Sequence, residues 1–344
     1  SESLWRLEVL QSTVNKSEGQ GSLRFSLLFI NFRRRKLSKH KTKNMGFFFD
    51  DYVAALLVID YFYQILFFAI TTVFNTHKVT DFAGGTSFML LALISYFTGL
   101  NSDFSATNNL VNTILVQVWG LRLVGFLFYR IIKWNRDQRF NDALIARIIF
   151  WNLQAIWSWS VSLPLIMINY RENDEDINAQ DVVGWVMWAI GFIIETVADY
   201  QKTQYKLYET SDSTPWCVKG IWKYSRHPNY FGEIFLWWGI FVSCSNNFED
   251  SDWASICGPL FLMLILLFVS GIPIIEGKYD SKYHGDERYG AYLLQTSPLI
   301  PLPTSCYSRL PKMIKVIFLF DYPFYNPKTL RRYESSSGKY SLFG

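Results

Sequence analysis

The feature that most constrains this chain is a recurrence of apolar runs, mostly about 18–24 residues long, with short polar and often charged breaks between them. Runs of that length cross a hydrocarbon core of ~30 Å as helices. They extend over Tyr52 to Phe74, Phe82 to Leu100, Leu110 to Tyr129, Ile148 to Ile168, Val182 to Ala198, Tyr230 to Cys244 and Ile256 to Ile275. Several carry Trp or Tyr at their ends, as interfacial anchors do. The expected fold is therefore all-α, a polytopic integral membrane protein with about seven transmembrane helices. A soluble helical protein is the alternative that these lengths disfavour. The organisation expected is a basic N-terminal arm (1–44), a membrane domain (45–301) and a C-terminal tail (302–344).

A net charge of +4 is too small to argue for nucleic acid, so lipids and a lipid-like substrate are the expected partners. Cys217, Cys244, Cys257 and Cys306 show neither a CxxC pair nor a spacing to His that would indicate zinc, and no metal site is expected.

Breaks after odd-numbered runs are basic: Lys78; Arg130, Lys133, Arg136 and Arg139; Lys202, Lys206, Lys219, Lys223 and Arg226; Lys278 and Lys282. Breaks after even-numbered runs carry Asp103; Glu172, Asp174, Glu175 and Asp176; Glu249, Asp250 and Asp252. The positive-inside rule puts the first set on the cytoplasmic or matrix side of an endoplasmic-reticulum or other organelle membrane, such as the mitochondrial inner membrane. The arm, with RRRKLSKHKTK ahead of Met45, fits that orientation poorly; it is either a separately routed or cleaved segment or sequence upstream of the true start.

Ionisable groups within apolar spans face a bundle interior or a wet cavity, and they mark candidate sites. Asp60 reads as an interhelical hydrogen-bonded carboxyl. Asp81, in VTDFAGG, is either a helix cap or an inward polar group. Arg122 keeps its charge and needs a carboxylate or an anionic ligand. Glu195, Asp199, Lys202 and Lys206 stand at i, i+4, i+7 and i+11 and form one helical stripe. The densest stretch is GIWKYSRHPNYFGE, Gly220 to Glu233, where Pro228 suits a first helical turn and sets Asn229, Tyr230 and Glu233 along one face. Ser270, Gly271 and Pro273 should break the last span where Glu276 emerges, with Tyr279, Tyr283 and Tyr292 following. In the tail, IKVIFLFDYPFY is too short to span and reads as an interfacial segment.

The order WGLRL, LQAIW, GxxIExxADxQK, GIWKYSRHPNYFGEIFLWWG, VSGIPIIE and YxxYLLQTSPLIP resembles the DUF1295 family within the steroid 5-alpha-reductase superfamily, over Val79 to Pro301. The resemblance implies a seven-helix membrane fold that binds NADPH and delivers hydride to an activated carbon–carbon double bond in a steroid-like or other lipid enone. It implies cofactor contacts from Asn229, Tyr230 and Glu233, from Glu195, Asp199 and Tyr200, and from Arg122. Lys202, Lys206, Arg226 and His227 would face the phosphates, and Glu276, Tyr279, Tyr283 and Tyr292 would close over the cofactor. The steroid reductases use an early Glu and Tyr on the substrate carbonyl; no early Glu lies within a span here, which leaves Asp81 and Tyr96 as the catalytic candidates. Two alternatives stay open. One is a methyltransferase of the isoprenylcysteine carboxyl type using S-adenosylmethionine, and the other is a non-catalytic subunit of a larger membrane complex that retains a cofactor pocket.

Overall fold

The computed structural model describes residues 51–74, 79–99, 107–134, 144–170, 176–208 and 214–337. The basic arm lies outside them, as do Lys78, Asp103, Arg136, Arg139, Glu172, Asp174 and Glu175 and the side chains of Asp81 and Lys133. The described residues are helical, and their one β-type pairing is an isolated bridge between Ser225 and Ser297.

Five long helices come first: α1 (Asp51–Val73), α2 (Thr80–Gly99), α3 (Thr107–Trp134), α4 (Leu144–Tyr170) and α5 (Ala179–Tyr208). Then follow α6 (Pro228–Cys244), α7 (Cys257–Phe268), α8 (Ile272–Tyr283), α9 (Glu287–Gln295), the single turn α10 (Thr304–Tyr307), α11 (Lys312–Leu319) and α12 (Pro327–Ser337). α6 opens as its sequence predicts, with His227 as N-cap and Pro228 at the first position, where its missing N–H costs no bond. The break expected at Ser270–Pro273 separates α7 from α8.

Five segments are long and apolar enough to cross a membrane: Asp51–Val73, Phe82–Gly99, Thr107–Arg130, Ala179–Tyr208 and Asp250–Tyr283, the last containing the break. The protein is thus a multi-pass helical membrane protein. The two other runs expected to span are α4 and α6. In α4 every residue from Ser158 to Asn169 is buried, and α6 has only 17 residues, ten of them buried. A helix surrounded by other helices need not look like lipid-facing sequence, so hydropathy undercounts such elements.

The core is aromatic where α2, α3, α4 and α6 meet. Phe88 packs edge-on against Trp119 and Trp157, and Trp237 lies 5.1 Å from both Phe88 and Trp119. α5 and α6 approach closely through glycines. A Cβ on Gly184 would lie 2.5 Å from the Gly239 carbonyl oxygen, and one on Gly191 would lie 2.6 Å from that of Gly232. The two pairs are seven residues apart on each helix, as an antiparallel heptad requires.

Asp60 is fully buried and accepts hydrogen bonds from Ser87 and, at 2.6 Å, from Ser158; it ties α1 to α2 and α4. Residues 302–337 pack as part of the same unit as the long helices.

Candidate functional site

The intramembrane charges converge on Arg122. Its Nη1 donates to Asp199 Oδ2 at 2.8 Å and its Nη2 to Glu195 Oε1, while Trp119 Nε1 donates to Glu195 Oε2 at 3.0 Å. The partner that Arg122 needs is therefore a pair of carboxylates one turn apart on α5. Glu233, on α6, lies within electrostatic reach of Glu195, Asp199 and Arg122, so three carboxylates share one guanidinium. Gly191 and Gly232 make this possible, because a Cβ on Gly232 would meet the Glu195 backbone nitrogen at 2.7 Å. Asn229, one turn before Glu233, has its Oδ1 buried and without a hydrogen-bond donor among the described residues.

Beyond this cluster lies a second one. Arg226 and His227 are buried ahead of α6, and Glu276 is buried on α8. Arg226 Nε stands 3.2 Å from Glu276 Oε1, its Nη1 donates to the Leu293 carbonyl at 3.2 Å, and its Nη2 donates to Asp321 Oδ1 at 2.9 Å. His227 Nε2 is 2.8 Å from the same Glu276 oxygen, and its ring stacks on Tyr230 at 5.4 Å. Burial lowers the His227 pKa despite the attraction of Glu276, so the ring favours its neutral form.

Arg226, His227 and Glu276 line a cavity of about 340 Å³, its open mouth included, whose aromatic walls are Trp216, Trp222, Tyr279, Tyr289 and Tyr292. Trp216 packs against Tyr283, Tyr289 and Tyr292. Tyr292 donates its hydroxyl to the Trp222 carbonyl at 3.2 Å, and burial pushes its pKa up, so it remains a donor at neutral pH. Lys202 reaches the cavity from α5 with its Nζ 4.4 Å over the Trp222 ring and has no carboxylate within 4.0 Å among the described residues.

The structure thus brings together Arg122, Glu195, Asp199 and Glu233 in one cluster, and Lys202, Arg226, His227, Glu276, Tyr279 and Tyr292 around the adjoining cavity, with Asn229, Tyr230 and Tyr283 beside them. It does not bring in Tyr200, which is 63% exposed on the outer face of α5. Lys206 is also exposed, one turn beyond Lys202. Tyr96 sits at the other end of the bundle. Its neighbour Ser95 accepts from Asn169, which also donates to Thr113, and Thr113 is nine residues, or about 13 Å of helix rise, from Arg122 on α3. Asp81 is in the first turn of α2, and its side chain is outside the described residues.

Sequence reasoning missed Trp119, whose signal was its position three residues before Arg122 on the same helix face. It also missed Trp216, Asp321 and Asn326, the last two from a segment taken for a surface tail. The buried, charged and aromatic cavity thus lies at one end of a helical membrane bundle. The match to the family model described as "Protein of unknown function (DUF1295)" covers residues 67–296, and the chain belongs to that family. No curated protein and no solved structure matches it.

Proposed function

We propose that this protein is a membrane-embedded, NADPH-dependent reductase of an activated carbon–carbon double bond in a lipid-like enone. The observation that carries the proposal is a buried acceptor in an aromatic cavity: His227 Nδ1 meets no donor among the described residues, and His227 lines the cavity with Lys202 and a wall of indoles and phenols, while Asn229 Oδ1, two residues on, is likewise buried and without a donor among them. Those groups suit a ligand that offers amide or amine N–H, phosphate oxygens and flat rings. The free space within it is only about 20 Å³, so its aromatic walls would have to move apart to admit one ring-bearing half of a dinucleotide.

NADPH, when bound, would supply the hydride. The chain's own residues would bind, orient and keep the site dry. Arg226 is already engaged by Glu276, Asp321 and a carbonyl, so the phosphate contact expected of it passes to Lys202, with Lys206 one turn beyond. Asn229 would accept from a carboxamide, with Glu233 one turn further along α6. The paired Arg122, Glu195 and Asp199 would hold the α5 face rigid behind them. The positive-inside rule, applied to the basic loop residues near this end, supports a site on the cytoplasmic or matrix side.

The test is ligand identity. Native protein in nanodiscs, challenged with NADPH and separately with S-adenosylmethionine, should gain thermal stability with NADPH alone, and Asn229→Ala should weaken that binding at least tenfold. Stabilisation by S-adenosylmethionine would instead support methyl transfer. No response to either would refute the cofactor assignment and leave a structural subunit.

A further inference from the structure

The segment from Asp321 to Thr329 lies beyond the part of the chain that the family model matches, yet its polar side chains end inside the second cluster. Asp321 Oδ1 takes the Nη2 of Arg226, and its Oδ2 accepts from Tyr307. Asn326 is 3% exposed; its Nδ2 donates to Glu276 Oε2, and its Oδ1 accepts from Tyr289 at 2.8 Å. One turn along α8, Asp280 accepts from the backbone N–H of Lys328 at 2.9 Å and of Thr329 at 2.8 Å, and from the Thr329 hydroxyl at 2.6 Å. Glu276 and Asp280 therefore grip the start of α12 from the same face of α8. Tyr325 adds a bond from its hydroxyl to the Leu267 carbonyl at 2.8 Å.

These bonds bear on His227. With Asn326 on Oε2, Glu276 is left with Oε1 for Arg226 and His227. An ionised carboxylate only accepts, so His227 Nε2 carries the proton and Nδ1 is a bare acceptor. That Nδ1 is buried and meets no donor among the described residues, and the His227 ring lines the cavity. We propose that Asp321–Thr329 is a positioning strap for the candidate site. In it, Asp321 and Asn326 hold Arg226 and Glu276, and through them fix His227 in the tautomer that presents Nδ1 as a hydrogen-bond acceptor to a ligand N–H. Neither strap residue lines the cavity; both act through residues that do.

The experiment reads the imidazole directly and needs no cofactor. Full-length protein in nanodiscs is labelled with ¹⁵N-histidine. The chain has four histidines, and His227→Gln assigns the resonance. In the native protein His227 should show a protonated Nε2 and an unprotonated Nδ1 at pH 7.5. Asn326→Ala frees a lone pair on Glu276 and makes it more basic, so the His227 titration midpoint should rise by about one pH unit, tenfold in proton affinity. Asp321→Asn, close to isosteric and milder for folding, should move the same resonances in the same protein, and Asp321→Glu should restore part of the native spectrum. A merely structural strap would lower stability in these variants without moving the imidazole signals of the folded fraction. Native-like nitrogen shifts and an unchanged midpoint in both folded variants, or a native Nδ1–H tautomer, would overturn the proposal.

Discussion

Gly232→Ala adds one methyl group where α5 and α6 are closest. The new Cβ would stand 2.6 Å from the Gly191 carbonyl oxygen, 2.7 Å from the Glu195 nitrogen and 2.9 Å from the Glu195 Cβ. Ordinary contact begins at 3.4 Å. Two of the three atoms are backbone, which no rotamer change can move aside, so the helices must separate by about 0.8 Å at this level. Overpacking of this kind costs about 1–3 kcal/mol. Gly184 and Gly239 hold the same register one heptad away, so α6 should tilt rather than translate, and the tilt is delivered to Glu195, Asn229 and Glu233. Apparent melting temperature in nanodiscs should fall by a few degrees, and any ligand stabilisation should fall more steeply than the melting temperature itself. The control is Gly125→Ala on α3, where a Cβ meets nothing within 4 Å; there the loss of helical glycine should leave stability unchanged or raise it by up to about 1 kcal/mol. If Gly232→Ala melts with the native protein and Gly125→Ala does not exceed it, the close-approach reasoning fails.

Arg122→Gln leaves Glu195 and Asp199 without their cation in a buried setting; the expected cost is about 3–5 kcal/mol, read as loss of monodisperse protein after extraction, with partial recovery when Glu195→Gln is added. Asp280→Ala removes three hydrogen bonds to the start of α12; hydrogen exchange should rise in residues 327–337 with little change in the long helices. Because burial lowers the His227 pKa from its ordinary 6.5, the folded protein favours neutral imidazole. Stability from this source should be complete above pH 6.5 and decline as the pH falls below it, and His227→Gln should flatten a melting curve series between pH 8 and pH 5.

The long apolar helices, the start of α6 at Pro228 and the break before Ile272 were legible because each follows from local chemistry: run length, a proline with no N–H, a glycine–proline interruption. The stripe Glu195, Asp199, Lys202 was legible for the same reason, since helical periodicity puts those residues on one face. Which partner Arg122 takes was not, because Arg122 and its carboxylates on α5 are more than seventy residues apart and a pairing across that distance leaves no mark in either helix. Tyr200 shows the limit of motif adjacency: its place beside Asp199 suggested the site, but one residue along a helix is a turn of 100° and carries the ring to the exposed face. In the tail the apolar run read as an interfacial segment, and that reading left its polar residues unassigned. Asp321 and Asn326 within FDYPFYN were the available signal, for a carboxylate and an amide amid aromatics have to be satisfied somewhere.

The contact between Arg226 and Asp321 also sets an order of events in synthesis. The two are 95 residues apart in sequence, which at ~5–20 residues per second is roughly 5–20 s of elongation. By the end of that interval the membrane helices through α8 are made, while Arg226 still lacks one carboxylate and Glu276 its amide. The nascent protein therefore passes through a form in which Arg226 and Glu276 lack these partners, and it is the later stretch carrying Asp321 and Asn326 that supplies them. A premature stop ahead of Asp321 would spare every long helix and still yield a chain that quality control should recognise as unfinished.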